Sequence, residues 1–253
     1  MSFETGTEMY ARFVGRYTGA LAEALVDRAG VRQGDSALDV GCGPGAALET
    51  LARRVGAENV AGIDPSKPFV EMAMSRVPGA DVRLGAAEAL PFDDRSFDVV
   101  LSQLVINFMR DARAGVSEMH RTARRTVASC VWDYAGEMTM LRTFWDAARE
   151  LDPDAPDERD MRWCTPEELE ELWVGARLHD VNVDQLVVAA SYEDFSDFWA
   201  PFPSGIGPAG TYCASLAPDR QDVLRLSVFR KLGSPDGPFD LTARAWVAVG
   251  QVD

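Results

Sequence analysis

Ala37–Gly45 reads ALDVGCGPG. A short apolar run ends in three glycines that alternate with other residues, and Asp39 stands two places before the first of them. Glycine costs conformational entropy on folding, so such a run marks a sharp turn or the close approach of something bulky to the backbone. Ala46 to Val55 then has helical spacing, which makes a strand–loop–helix unit. The start of that helix offers unpaired N–H groups and a partial positive charge. A pyrophosphate or a carboxylate packs well there. Gly41, Gly43 and Ala46 also satisfy the GxGxxA form of the dinucleotide fingerprint, so the loop alone leaves its ligand open.

Three neighbours narrow the choice. Asp39 at the strand end would repel a phosphate and welcome an ammonium or sulfonium group. Asp64 lies nineteen residues past Gly45, at the end of a second strand, NVAGID. A carboxylate there can accept hydrogen bonds from ribose hydroxyls, or cap the helix that follows through DPS. GAAEALPF ends a third strand and brings Glu88 to the same edge, as a cofactor contact or a solvated loop acid. All three carboxylates fall at carboxyl ends of strands, where open α/β sheets bind ligands.

The rest of the chain supplies the frame. FDVVLSQ is a fourth strand, Asp111 to Arg125 a helix and TVASCVWDY a fifth strand. Val14, Tyr17, Leu21, Ala24 and Leu25 place a helix ahead of the first strand, and Phe69, Val70, Ala73, Met74 and Val77 share one face of another. Beyond Tyr134 the alternation gives way to a helix marked by Met138, Leu141, Trp145 and Ala148, then a polar, exposed loop, LDPDAPDERD. Thr165, Pro166 and Glu168 begin a further helix as N-cap, first helical residue and capping-box partner. Val181 to Tyr192 reads as a sixth strand, Glu193 to Phe202 as a short aromatic helix, PSGIGPAG as a loop, Pro218 to Leu232 as a helix and LTARAWVAVGQV as a last strand. The fold class is α/β: a Rossmann-like, doubly wound, mostly parallel seven-stranded sheet with an antiparallel edge strand and helical insertions capping the substrate site. Its parts are a helical lid over 1–30, the core over 31–134, a helical cap over 135–180, and 181–253 completing sheet and pocket.

Composition excludes several classes. A formal net charge of −15 over 253 residues repels nucleic acid and anionic membranes. Arg121, Arg124 and Arg125, the densest basic group, read as a solvated helix end. No window approaches the ~18 apolar residues of a membrane span, and MSFETGTEMY is no signal peptide. Cys42, Cys130, Cys164 and Cys213 form no CxxC pair, so zinc and a disulfide framework are disfavoured and a reducing cytoplasm fits.

LDVGCGPG, GIDPS and GAAEALPFDDRSFDVVLS, in that order and spacing, resemble the class I S-adenosylmethionine-dependent methyltransferases, in the small-molecule branch that includes the ubiquinone and menaquinone biosynthesis enzymes. The resemblance covers roughly Tyr10 to Tyr134. It implies S-adenosylmethionine as cofactor and S-adenosylhomocysteine as product. It places Asp39, Gly41, Cys42, Gly43 and Gly45 around the methionine and ribose parts. Asp64, with Pro65 and Ser66, falls at the ribose, and Phe69, Ala86, Ala87 and Glu88 at the adenine. Ser102 and Gln103 border the methionine part, and Tyr10 and Arg16 belong to the lid, with Arg16 toward the methionine carboxylate. Trp132 and Tyr134 end the fifth strand as the best placed of nine aromatics for a substrate pocket. The chain departs from the family in one place: HRTARRTVASC lacks the Pro-Gly-Gly type turn usual before the fifth strand. Cys42 is read as a space-filling thiol, and His120 and His179 as ordinary structural histidines. The expected activity is methyl transfer to a small neutral or cationic organic molecule by a monomer or homodimer. The alternatives are a non-catalytic S-adenosylmethionine-binding protein and an NAD(P)-dependent oxidoreductase.

Overall fold

The computed structural model describes residues 12–253. Seven strands form one sheet in the order β3-β2-β1-β4-β5-β7-β6: β1 Ala37–Val40, β2 Val60–Asp64, β3 Asp81–Leu84, β4 Phe97–Gln103, β5 Ala123–Trp132, β6 His179–Tyr192 and β7 Phe239–Gln251. The first five are parallel to one another. β7 runs antiparallel to β5, Trp132 opposite Ala245 and Thr126 opposite Gln251, and lies one place in from the β6 rim. The helices are α1 Gly15–Arg28, α2 Ala46–Val55, α3 Lys67–Arg76, α4 Ala112–Thr122, α5 Thr139–Leu151, α6 Pro166–Gly175, α7 Phe195–Trp199, α8 Gly207–Ser215 and α9 Pro218–Lys231.

The chain forms two compact units. One, the sheet unit, comprises Gly19–Trp132, Arg162–Leu186 and Ala245–Asp253. β1 and β2 are buried along their whole length and apolar but for Asp39 and Asp64, as strands covered on both faces are. α6 starts as its sequence dictates: Thr165 Oγ1 accepts from the Glu168 amide, and Glu168 reaches back to the Cys164 amide at 3.1 Å. Trp173 in α6 donates its indole N–H to the Val127 carbonyl of β5, which ties this part of 135–180 to the sheet rather than to a cap. The fifth strand starts at Ala123, directly after α4, without an intervening turn. Arg124 and Arg125 are therefore strand residues. Arg125 makes a two-pronged pair with Asp35, Arg124 meets Asp98, and Arg121 meets Glu118 and Asp94. The expected solvated basic helix end is instead a set of neutralised pairs. On α3 only Val70 and Ala73 are buried, and Met74 is 52% exposed, because the helix presents a narrow face to the short β3 edge.

The other unit holds Asp133–Met161, Val187–Arg244 and, among the described residues, 12–18. Its core is aromatic: Phe144 stacks on Phe202 with ring centroids 4.6 Å apart, and Phe13 meets Phe202 edge-on. The Tyr17 and Tyr192 hydroxyls share a buried hydrogen bond of 3.0 Å. The acidic stretch after α5 is the mostly exposed loop its composition suggests, held down by two buried anchors. Ala155 and Glu158 are buried, Glu158 accepts from the Trp145 indole N–H at 2.7 Å, and Asp157 binds Arg142 and Arg159. PSGIGPAG does not stay a loop, since Gly207–Ser215 is helical. Pro208 suits the first turn, and Gly210 packs against the backbone of Phe202 and Gly205, where a side chain would collide.

Candidate functional site

The site is built where β1 and β2 end. The Gly41 and Cys42 amides both donate to the Ile63 carbonyl, at 2.8 and 3.0 Å, so the glycine loop is pinned to β2 before it turns. Gly41 has φ +73°, and a Cβ there would come within 2.5 Å of the Val105 side chain. Only glycine combines that conformation with that clearance. Gly45, φ +92°, serves as N-cap of α2 and lies against Ala73 of α3.

Asp64 ties this loop to the next. Its Oδ2 accepts from the Gly43 amide at 2.9 Å and its Oδ1 from the Ser66 amide at 2.8 Å. Burial raises its pKa above the ordinary carboxylate value, and the two amides pull it part of the way back. Each oxygen keeps a further lone pair for a ligand hydroxyl. The helix-capping reading of DPS and the ligand-binding reading are thus compatible on one side chain.

Asp39 is different. It is 1% exposed, and no hydrogen bond of ordinary geometry reaches either carboxylate oxygen. Burial pushes its pKa up to about 7, the Asp64 charge adds to the rise, and the Leu48 amide at the start of α2 offsets only part of it. A buried ionised group without partners is costly, so it takes up a proton or awaits a cation. Register puts Gln103 and Cys130 on the Asp39 face of the sheet, because Asp39 pairs with Leu101 and Gln103 with Cys130. Ser102 falls on the opposite face beside Ser129, both hydroxyls buried without a hydrogen-bond partner. Of the two residues expected after β4, only Gln103 therefore shares a face with Asp39.

The remaining candidates divide. Pro65 and Ser66 open α3, and Phe69 stands half-buried in its first turn. Ala86 is exposed and Ala87 buried. Glu88 spends Oε1 on the Arg110 and Asp111 amides, at 2.9 and 3.3 Å, and so supports the start of α4. The Cys42 thiol is buried and pushed up by that burial and by Asp39 and Asp64, an unreactive state. Trp132 is buried at the end of β5. Arg16 and Tyr134 belong to the other unit, where the Arg16 guanidinium bonds Asp197 and lies over the Tyr192 ring. Tyr10 lies outside the described residues. His120 closes α4 and His179 opens β6, where it meets Asp180 and Asp253. His120 lies three residues before β5 begins, at the end of the parallel strands opposite the glycine loop. Sequence reading missed Val105, which sets the clearance over Gly41, and Cys130, buried in the second half of β5. Among the described residues no group of three or more His, Cys, Asp or Glu could hold a metal ion, and no helix is long and apolar enough to cross a membrane.

Residues 38–127 match the family model described as a methyltransferase domain. The chain is 35% identical over 137 residues to an uncharacterised 37.1 kDa protein of transposon Tn4556 from Streptomyces fradiae, a match covering 53% of this chain and 36% of that one. It is 34% identical over 127 residues to the malonyl-[acyl-carrier protein] O-methyltransferase of Salmonella typhimurium, covering 50% of each. The matched regions thus span half or less of these two relatives. A solved N-methyltransferase of Haemonchus contortus, in complex with phosphomonomethylethanolamine and S-adenosylhomocysteine, shares the fold with a TM-score of 0.56 and 20% identity, over 92% of this chain and 53% of that one.

Proposed function

We propose, from the match of residues 38–127 to a methyltransferase domain, an enzyme that moves a methyl group from S-adenosylmethionine to a small organic acceptor. The cofactor supplies a methyl on a positively charged sulfur. The observation that carries the reading is Asp39: a buried carboxylate under the glycine loop with no hydrogen-bonded partner fits a cationic ligand and opposes a pyrophosphate. That opposition is also what disfavours the oxidoreductase reading.

The residues divide the work simply. The loop from Gly41 to Gly45 lets a ligand approach the backbone, and Gly41 keeps Val105 clear. Asp64 holds the loop amides and offers its remaining lone pairs to ribose hydroxyls. Phe69 offers a ring to the adenine. Trp132 closes the end of β5 with an apolar wall. Displacement at a sulfonium releases a neutral sulfur, so little developing charge needs stabilising, and the chief requirement is holding the acceptor ~3 Å from the methyl and in line with the bond that breaks. Neither histidine is placed to take a proton at the loop, which favours acceptors that are nucleophilic without a histidine base.

Calorimetric titration with S-adenosylmethionine, S-adenosylhomocysteine and NADH tests the cofactor. Micromolar binding of the first two and none of NADH is expected, and NADH binding alone would move the protein to the oxidoreductases. A screen of oxygen, nitrogen, carbon and sulfur nucleophiles for S-adenosylhomocysteine formation then tests turnover. Binding without turnover across that screen supports the non-catalytic alternative.

A further inference from the structure

Two carboxylates meet at the glycine loop, and their surroundings differ. Asp64 has one backbone donor on each oxygen, which fixes it as the charged partner. Asp39 has neither oxygen hydrogen-bonded, is 1% exposed, and feels the Asp64 charge. The groups around it come from every neighbouring element: Asp64 ends β2, Cys42 lies in the loop, Cys130 lies on β5, and the Leu48 amide opens α2. Both thiols are pushed up by burial and stay neutral, and no cationic side chain is among the groups that act on Asp39. Two interacting carboxylates do not both ionise cheaply, so Asp39, whose burial the Leu48 amide only partly offsets, keeps the proton.

We propose that Asp39 is the proton-exchange residue of this site: a neutral acid in the free protein, and a carboxylate when a cationic cofactor is held at the loop. The Asp39 O–H bond breaks, the carboxylate keeps the electron pair, and the proton leaves to solvent. The inference rests on the loop being the cofactor site. It adds that the site reads ligand charge. A ligand with a sulfonium displaces the proton, whereas the product, whose sulfur is neutral, displaces it less, so Asp39 biases the site toward cofactor over product as pH rises.

The test is calorimetry of the whole protein in two buffers of different ionisation enthalpy, whose difference counts protons released per ligand bound. A free-protein pKa of about 7 sets the expectation for S-adenosylmethionine: most of one proton released at pH 6 and about half at pH 7. Release with S-adenosylhomocysteine should be smaller, and Asp39→Asn, which mimics the neutral acid, should bind while releasing none of this proton. Equal release with the two ligands overturns the charge-reading role. Equal release from the variant and the unmodified protein overturns the assignment to Asp39 but leaves the cofactor reading standing. Failure of both to bind S-adenosylmethionine overturns the reading of the loop itself. Should Asp39→Asn not fold, the unmodified protein still decides: its dissociation constant should fall roughly eightfold from pH 5.5 to 6.5 and level off above pH 7.5. A pH-independent constant overturns the proposal.

Discussion

Asp64 holds the amides of Gly43 and Ser66, so its removal loosens two loops as well as removing the proposed ligand contact. Asp64→Ala should weaken S-adenosylmethionine binding by roughly 1–3 kcal/mol, the range for hydrogen bonds to a charged group. Unchanged affinity with an intact fold would refute its ligand role. Gly41→Ala drives a Cβ to 2.5 Å from Val105 at φ +73°. It should cost about 1–3 kcal/mol of stability by denaturant unfolding, and Val105→Ala in the same protein should recover part of it. Asp39 predicts a pH dependence of the free protein. Its folded pKa lies above its unfolded value, so its unfavourable contribution grows as pH rises from about 4 through about 7. Asp39→Asn should therefore be the more stable protein at pH 8, by up to about 4 kcal/mol, and should lose that advantage near pH 4. Urea midpoints of the two proteins across this range check the sign. At this scale Asp39 and Asp64 were legible because a carboxylate beside glycines is chemically odd. Cys130 and Val105 were not, since nothing in an apolar run says which member faces a loop.

Thr165 shows what makes an element legible. Cap, first-turn proline and returning glutamate are three local signals, and α6 begins where they fall. Thr165→Ala should cost ~1 kcal/mol by loss of the cap, read as a lower urea midpoint, with Thr165→Ser recovering most of it. β1, α2, β2 and β4 were equally readable, because apolar runs bounded by glycine or charged turns have few alternatives. α8 was not. Glycine and proline lower its intrinsic preference, and the helix forms because Ala209 and Cys213 bury against the unit's own core. The acidic stretch is the exposed loop its composition suggests, but its anchors were not legible: Arg142 and Trp145, from the preceding helix, supply partners for Asp157 and Glu158. Trp145→Phe removes the Glu158 donor and should destabilise the protein by about 1–3 kcal/mol, less at low pH, where Glu158, already raised by burial, is protonated.

At the scale of the molecule, a ligand that binds only the folded sheet unit must stabilise it. At a hundredfold excess over its dissociation constant, S-adenosylmethionine should add about 2.7 kcal/mol and raise the unfolding midpoint by several degrees in differential scanning fluorimetry. NADH at the same concentration should not. The division into two units carries a further consequence. The chain passes from one to the other after Thr18, Trp132, Met161, Leu186 and Arg244. No single cut frees either unit. Yet 38–127, the stretch of recognisable kinship, lies wholly within the sheet unit. Asp133–Met161 and Val187–Arg244 are spliced into that unit's sequence as two cassettes. The loop that begins at Gly41 and these two segments are separate stretches of chain, so a change confined to either segment leaves the loop's own sequence untouched.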